Sequence, residues 1–313
     1  MNILLTNDDG YDAKGLKVLA DIMRQYGDIT VVAPKFHQSG MSMAVGLGYK
    51  PIAVKKISEA KGESWWYVDD TPASCVKFAV DNIFLEGKPD VVISGINHGA
   101  NTASAALYSA TLGGAQEGAM ADIPSIGVSL DDFGDNPDFS PAVKYFPGIF
   151  EKLMTDTPER FGIYYNINIP ALAPDSIKGI RVCHQGIEHW ENEFQPYDRD
   201  ILRKKGIRPI DRGIRYIPEV EEGETVYMMV GDVVEDSRNV PPADQRMVKE
   251  GYISIVAHNL DTTDYREIQR LENLGLNETY DNPISLTEGQ PIQFHPLRTA
   301  AELAMASPLI VTT

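Results

Sequence analysis

An apolar run from Asn2 to Thr6 (NILLT) breaks off into Asn7, Asp8, Asp9 and Gly10, the pattern of a buried strand that ends in a polar loop. From Asp12 to Tyr26 the period changes. Leu16, Leu19 and Met23 recur on one helical face with Val18 and Ile22 beside it, and Asp12 is placed to cap the start. Asp28 to Ala33 (DITVVA) returns to a strand that Pro34 stops. Strand, helix and strand in such quick succession form a βαβ unit, which right-handed crossover builds into a parallel sheet.

The alternation continues. Trp65 to Val68 predicts a strand, Thr71-Pro72 an N-cap and first turn of a helix reaching about Leu85, and Asp90 to Ser94 (DVVIS) another buried strand. A helix rich in Ala and Gly is expected over Tyr108 to Met120, then a strand over Ser125 to Leu130. Residues 1 to 130 thus predict a doubly wound, mostly parallel α/β core of Rossmann-like type. A turn-rich stretch, Asp132 to Pro141, leads to a helix over Val143 to Met154 that Pro147 is expected to kink.

Beyond it the texture shifts to strands with long polar connections: Ile163 to Ile169, Gly179 to His184, Ile214 to Pro218, Thr225 to Val230 and Tyr252 to Ala257. This predicts a β-rich C-terminal accessory region over about 160–265, without regular helices. Strand edges so exposed predict relief by self-association into a homodimer or homotetramer. Residues 266–313 form an extension with a turn-prone stretch and one helix candidate, Leu297 to Met305. No internal repeat or low-complexity segment occurs.

Charge narrows the function. Lys plus Arg number 28 against 45 Asp plus Glu, a formal net charge of −17, which argues against a surface that tracks DNA or RNA phosphates. An anionic ligand would have to be small and held by a local device such as a metal ion, backbone N–H groups or a helix N-terminus. Cys75 and Cys183 stand in no metal or redox spacing, so a reducing, cytoplasmic compartment is expected. MNILLTNDDG lacks the basic start of a signal peptide, and no apolar run approaches the ~20 residues of a membrane span.

Three strand ends carry candidate chemistry. Asp8 and Asp9 follow the first strand, where ligands of open α/β sheets bind. Adjacent carboxylates repel, and a divalent cation would reverse that penalty; alternatively Asp9-Gly10 forms a turn and Asp8 caps the helix. After the second strand, Ser39 offers a hard oxygen and Gly40 lets backbone approach an anion, although an ordinary loop would look the same. After DVVIS, Asn97 in SGINHGAN offers a carbonyl oxygen. Together they form an all-oxygen set suited to Mg²⁺ or Mn²⁺. Ser109 and Thr111 stand at a helix start, where they either cap the helix or hold phosphate oxygens. His37 and His98 are expected to be solvent-facing loop histidines.

These stretches, in order, resemble the SurE survival proteins, a family of 5'/3'-nucleotidases. NILLTNDDG, the segment Ala33 to Ser42, TPASCV from Thr71, SGINHGAN from Ser94, YSATLGGAQEG from Tyr108 and IPSIGVSL from Ile123 carry the likeness, and NINIP from Asn166 and GYISI from Gly251 extend it to about residue 265. The resemblance implies a SurE-like phosphatase domain over 1–265 and one divalent metal per subunit, held by Asp8, Asp9, Ser39 and Asn97. It further implies hydrolysis of nucleoside monophosphates, with short polyphosphate as a related substrate. Asp8 and Asn97 are the catalytic candidates; Gly40, Ser109 and Thr111 are the phosphate-binding ones. The chain departs from the family pattern at Asp70, Ala103, Ser104 and Ala110, where the last replaces the glycine of YSGT. An aspartyl-nucleophile phosphatase would need Asp-x-Asp, which adjacent Asp8 and Asp9 do not supply. The other reading is a nucleotide-binding sensor with weak or no hydrolysis.

Overall fold

The computed structural model describes residues 1–48, 50–134, 136–198, 200 and 220–277. Met1–Thr262 form one compact unit, and Thr263–Thr313 a second. In the first, β1 (Asn2–Thr6), α1 (Lys14–Met23) and β2 (Asp28–Pro34) make the expected βαβ unit. β3 (Val54–Ala60), β4 (Glu63–Val68), α2 (Pro72–Asn82), β5 (Val91–His98), α3 (Ala110–Met120), β6 (Ser125–Asp131), α4 (Ser140–Thr155), β7 (Ile163–Pro170) and β8 (Gly179–Cys183) follow. Then come β9 (Glu188–Glu191), β10 (Phe194–Pro196), β11 (Tyr227–Met229), β12 (Asp232–Glu235), α5 (Asp244–Lys249) and β13 (Tyr252–Asn259). In the second unit, α6 (Tyr265–Asn273) is capped by Asp264, whose side chain accepts from the N–H groups of Arg266 and Glu267.

Nine strands build the central sheet in the order β3-β4-β2-β1-β5-β6-β7-β13-β8. The six strands from β4 to β7 are mutually parallel, and β3, β13 and β8 run against them. Because successive strand residues point to opposite faces, β1 feeds two cores. Ile3 and Leu5 join Leu16, Leu19 and Met23 of α1 and Phe146 and Phe150 of α4, whereas Leu4 joins Val32, Val68, Cys75, Val76 and Val92 under α2. α3 lies beside α2 and approaches the sheet closely: a methyl on Gly118 would meet Ser125 Oγ at 2.3 Å and Val92 at 2.8 Å. The α/β class and mostly parallel sheet are therefore as the periodicity predicts.

Several details differ. α1 starts at Lys14 with Ala13 as its N-cap and no side-chain bond there, so Asp12 is not the cap. Thr71 does cap α2, its side chain accepting from Ser74 N–H, but the helix stops at Asn82. β3 escapes the periodicity because all seven of its residues are exposed, which leaves no apolar alternation to read. α4 is continuous through Pro147. In the β-rich half, β7, β13 and β8 extend the central sheet, and β9/β12 and β10/β11 form two small antiparallel sheets. That half also holds the short helix α5. The strand expected at Ile214 to Pro218 and the helix at Leu297 to Met305 lie outside the described residues. No helix among the described residues is long and apolar enough to cross a membrane.

Candidate active site

The chain runs from β1 to β2 and β4 on one side and later to β5, β6 and β7 on the other, so the order reverses at β1. The crevice at such a switch point, outside the carboxyl ends of the strands, is where doubly wound sheets take ligands. Asp8 and Asp9 emerge there from β1, only 3% and 7% exposed. Asn7 shapes the turn: its amide donates to Gly10 O at 3.1 Å and accepts from Gly10 N–H at 3.3 Å.

Thr111, in the first turn of α3, donates its hydroxyl to Asp8 Oδ1 at 2.7 Å. Gln38 N–H donates to the Asp8 carbonyl at 2.7 Å, which ties the loop after β2 to the same point. The His98 N–H reaches Asp9 Oδ2 at 3.3 Å, and His37 Nδ1 lies 3.4 Å from Asp9 Oδ1. Burial, and after it the charge of Asp9, pushes the Asp8 carboxyl up to about 6, against the pull of the Thr111 hydrogen bond and of His37. Two carboxylates held this close in a dry site are a charge imbalance that a hard divalent cation would relieve.

Asn97 sits near the end of β5, where the register against β6 shifts between Ser94 and Asn97. Its amide nitrogen donates to Gly99 O at 2.8 Å, which leaves the side-chain oxygen available to a cation. Ser39 and Gly40 are exposed, in a turn closed by Met41 N–H on Gln38 O at 3.3 Å. Gly40 has φ +76 and open space around it, so a side chain there would be strained and the bare backbone is left for a ligand. Next in the loop, Ser42 N–H donates to Tyr108 O at 3.0 Å and Ser42 Oγ to Leu107 O at 2.9 Å. Gly113 permits this docking, since a methyl there would stand 2.1 Å from Ser42 O. Asp8, Asp9 and Asn97 are thus buried on one rim, and Ser39 is carried to it on a loop anchored at both ends. Among the described residues, Ser39 makes no hydrogen bond to the carboxylates.

The hydroxyls at the start of α3 have structural duties. Ser109 is the N-cap, its Oγ accepting from Leu112 N–H at 3.1 Å, and it keeps its own proton to donate. Thr111 is fully buried and gives its proton to Asp8. Ala110 is also fully buried. The two histidines are not solvent-facing as expected. The His98 ring packs 5.5 Å from Phe139 with Nε2 buried and unpartnered, and the His37 side chain is only 16% exposed beside Asp9.

Sequence reasoning missed the support beneath this rim. Asn101 donates its amide to Ser129 Oγ at 2.9 Å and Thr111 Oγ1 at 3.4 Å. Its N–H reaches Asn168 Oδ1 at 2.7 Å, and its carbonyl accepts from Asn166 Nδ2 at 2.8 Å. Asn166 and Asn168 alternate on β7, so both face the same side. Asp244, fully buried, accepts from the N–H groups of Ala103 at 3.1 Å and Gly186 at 2.9 Å. Ala103 has φ +49, a left-handed conformation unusual for a residue with a side chain. The signals were that Asn101 closes SGINHGAN and that Asn166 and Asn168 stand in NINIP; no local pattern reveals that they meet, because they lie too far apart along the chain.

Among the described residues no group of three or more His, Cys, Asp or Glu could hold a metal, so a cation here would need the mixed set of two carboxylates with Ser and Asn oxygens. The fold and rim together define an α/β protein of Rossmann-like architecture whose site, at the strand carboxyl ends, suits a hard cation and an anion. The model of the family described as survival protein SurE matches residues 3–192, and the chain belongs to that family. The 5'-nucleotidase SurE of Christiangramia forsetii is 35% identical over 277 residues, covering 88% of this chain and 97% of the relative. That of Natranaerobius thermophilus is 37% identical over 280 residues, covering 87% and 98%. The crystal structure of the SurE protein from Aquifex aeolicus superposes with a TM-score of 0.68 at 30% identity, covering 87% of this chain and 99% of that one.

Proposed function

We propose that this chain is a divalent-metal-dependent phosphomonoesterase that hydrolyses nucleoside 5'-monophosphates to nucleoside and phosphate, with 3'-monophosphates and short polyphosphate as secondary substrates. The observation that carries the reading is the buried Asp8–Asp9 pair beside the capped start of α3, with Thr111 bridging the two. The names of the relatives support the 5'-nucleotidase activity. Asp8, Asp9, Ser39 and Asn97 would hold one Mg²⁺ or Mn²⁺ per subunit, which when bound polarises phosphoryl oxygens and offsets charge in the transition state.

The chain's own groups do the rest. Asp8, oriented by the Thr111 hydroxyl, accepts a hydrogen bond from the attacking water and points it at phosphorus. Ser109 Oγ–H, the Gly40 N–H and the first N–H groups of α3 hold the non-bridging oxygens, because a helix N-terminus favours negative charge. Water attacks phosphorus as the P–O ester bond breaks, the proton that the water sheds ends on the departing nucleoside oxygen, and no covalent enzyme intermediate is needed.

Self-association into a homodimer or homotetramer and a cytoplasmic location belong to the same proposal. The outer strand β8, with Val182 77% exposed, supplies an apolar edge for the former. Light scattering that gives only the monomer mass at micromolar concentration removes that part. The activity is tested with a panel of nucleotides assayed with Mg²⁺, Mn²⁺ and EDTA. Turnover that needs a metal and prefers 5'-monophosphates is expected. Tight nucleotide binding without release of phosphate would instead make the chain a sensor.

A further inference from the structure

The residue before the α3 cap is an aromatic with an open ring. Tyr108 is 60% exposed, although its carbonyl is held by Ser42 N–H and the next residue, Ser109, caps the helix. Its backbone is therefore fixed at the rim while its side chain stands in solvent. The Trp190 ring lies 6.0 Å away, centroid to centroid, at 76° to it. Trp190 comes from β9, beyond the motif-rich first half, opposite Val233 of β12. The Glu188 N–H donates to Ser104 Oγ at 3.1 Å, which moors β9 on the 3-10 turn Ala103–Tyr108.

In an edge-on pair at most one ring face is covered by the partner, so the exposed Tyr108 ring retains flat apolar surface facing outward. An exposed, backbone-fixed Tyr108 ring braced by a half-buried Trp190, beside the helix start proposed above to hold phosphate, matches what a nucleotide presents: an anion at one end and a planar ring at the other. Resting on the nucleotidase reading above, we infer that Tyr108 and Trp190 form the platform on which the base of the substrate stacks. Trp190 is then a specificity-determining residue for this site. Stacking is tolerant of base identity because every base has a π-face, so the platform accepts both base classes and ranks the larger purines ahead of pyrimidines.

A second group of aromatics, after β2 and β4, is less suited. Tyr11 and Tyr67 pack on each other at 5.4 Å, and the Lys35 ammonium lies over the rings of Phe36 and Tyr67 at 4.8 and 5.6 Å. The Lys35 ammonium thus competes with a base for the faces of Phe36 and Tyr67.

The test compares kcat/KM for AMP, CMP and the base-less ester ribose 5-phosphate in the Mn²⁺-loaded protein and in Trp190→Ala, Tyr108→Leu and Phe36→Ala. Trp190→Ala should reduce the ratio of AMP to ribose 5-phosphate about tenfold, toward the lower end of what base–aromatic stacking contributes. Tyr108→Leu should do the same, and the preference for AMP over CMP should shrink with it. Calorimetry of adenosine binding to the EDTA-treated protein reads the platform without catalysis, and Trp190→Ala should weaken it by a similar factor. If wild type turns over AMP but Trp190→Ala keeps its selectivity and its adenosine affinity, the platform is wrong and the nucleotidase reading stands. The same holds if Phe36→Ala alone collapses the ratio. If wild type hydrolyses no nucleotide, the functional reading and the platform both fall.

Discussion

The rim at the carboxyl ends of β1 and β5 and the small sheets β9/β12 and β10/β11 treat polarity in opposite ways. At the rim, charged and amide side chains are buried and cross-linked: Asp8, Asp9, Asn97, Asn101 and Thr111 are each at most 8% exposed. In the small sheets, apolar side chains stand in water, with Phe194, Met229 and Val233 all more than half exposed. Buried polar groups are costly unless fully bonded, so the rim is organised by long-range hydrogen bonds and tolerates little change. The small sheets carry few such obligations. The difference teaches that chemistry is anchored where polar groups are dry, whereas ligand selection can be added on an exposed surface at little cost to the fold.

The sharpest way to break this contrast is at Asp8. Asp8→Asn should lower turnover on nucleoside monophosphates by ~10³-fold or more while circular dichroism shows the fold intact, as expected when a group acting on the transition state is lost. Wild-type turnover by Asp8→Asn in the presence of EDTA would end the metal mechanism. Next in size is Asn101→Ala, which removes the amide that donates to Ser129 Oγ and Thr111 Oγ1 in a buried site and should cost ~2 kcal/mol in urea unfolding. A cost under ~1 kcal/mol would show that the network does not hold the rim. Asp9→Asn and Asn97→Ala should each weaken Mn²⁺ binding at least ~10-fold by calorimetry and disturb stability less than Asn101→Ala does.

Asp8 also makes a prediction about pH. Its carboxyl is raised in the folded, metal-free protein to about 6 from an ordinary 3.8, so the folded state holds the proton more tightly than the unfolded chain. That contribution is fully present below about pH 4 and is lost as pH rises through about 6. Metal-free protein should therefore lose ~1–2 kcal/mol from this group between those values. Asp8→Asn should flatten the loss, leaving the variant more stable than the metal-free wild type at pH 7, and Mn²⁺ should stabilise only the wild type. Identical pH profiles of the two metal-free proteins would show that the carboxylate pair is not strained. The smallest effect is expected in the small sheets, where Phe194→Ser should change unfolding free energy by less than ~0.5 kcal/mol, the usual range for exposed positions.

Much of this was legible along the chain, and the reasons differ by residue. The apolar run Ile3 to Leu5, the amphipathic spacing of α1 and the Thr71-Pro72 cap are local patterns, and each appears as an element close to where it is expected. Asp8, Asp9, Asn97, Ser109 and Thr111 could be nominated because strand ends and helix starts are also local features. What could not be read was how these groups are joined. Thr111 serves Asp8 rather than open solvent, His37 and His98 turn inward toward Asp9 and Phe139, and β3 shows no apolar alternation at all.

The amino-acid order by itself determined the alternation of strands and helices, the parallel sheet, the placement of the oxygen-bearing residues at strand ends and the acidity that restricts an anionic ligand to a local site. Only the tertiary structure decided that Asn101 gathers Thr111, Ser129, Asn166 and Asn168, that Asp244 holds Ala103 in its left-handed conformation, and that Trp190 meets Tyr108. The physical reason is range. Periodicity and capping act within a few residues, whereas a buried polar group must find its partner wherever packing brings one, here between about 10 and 140 positions along the chain.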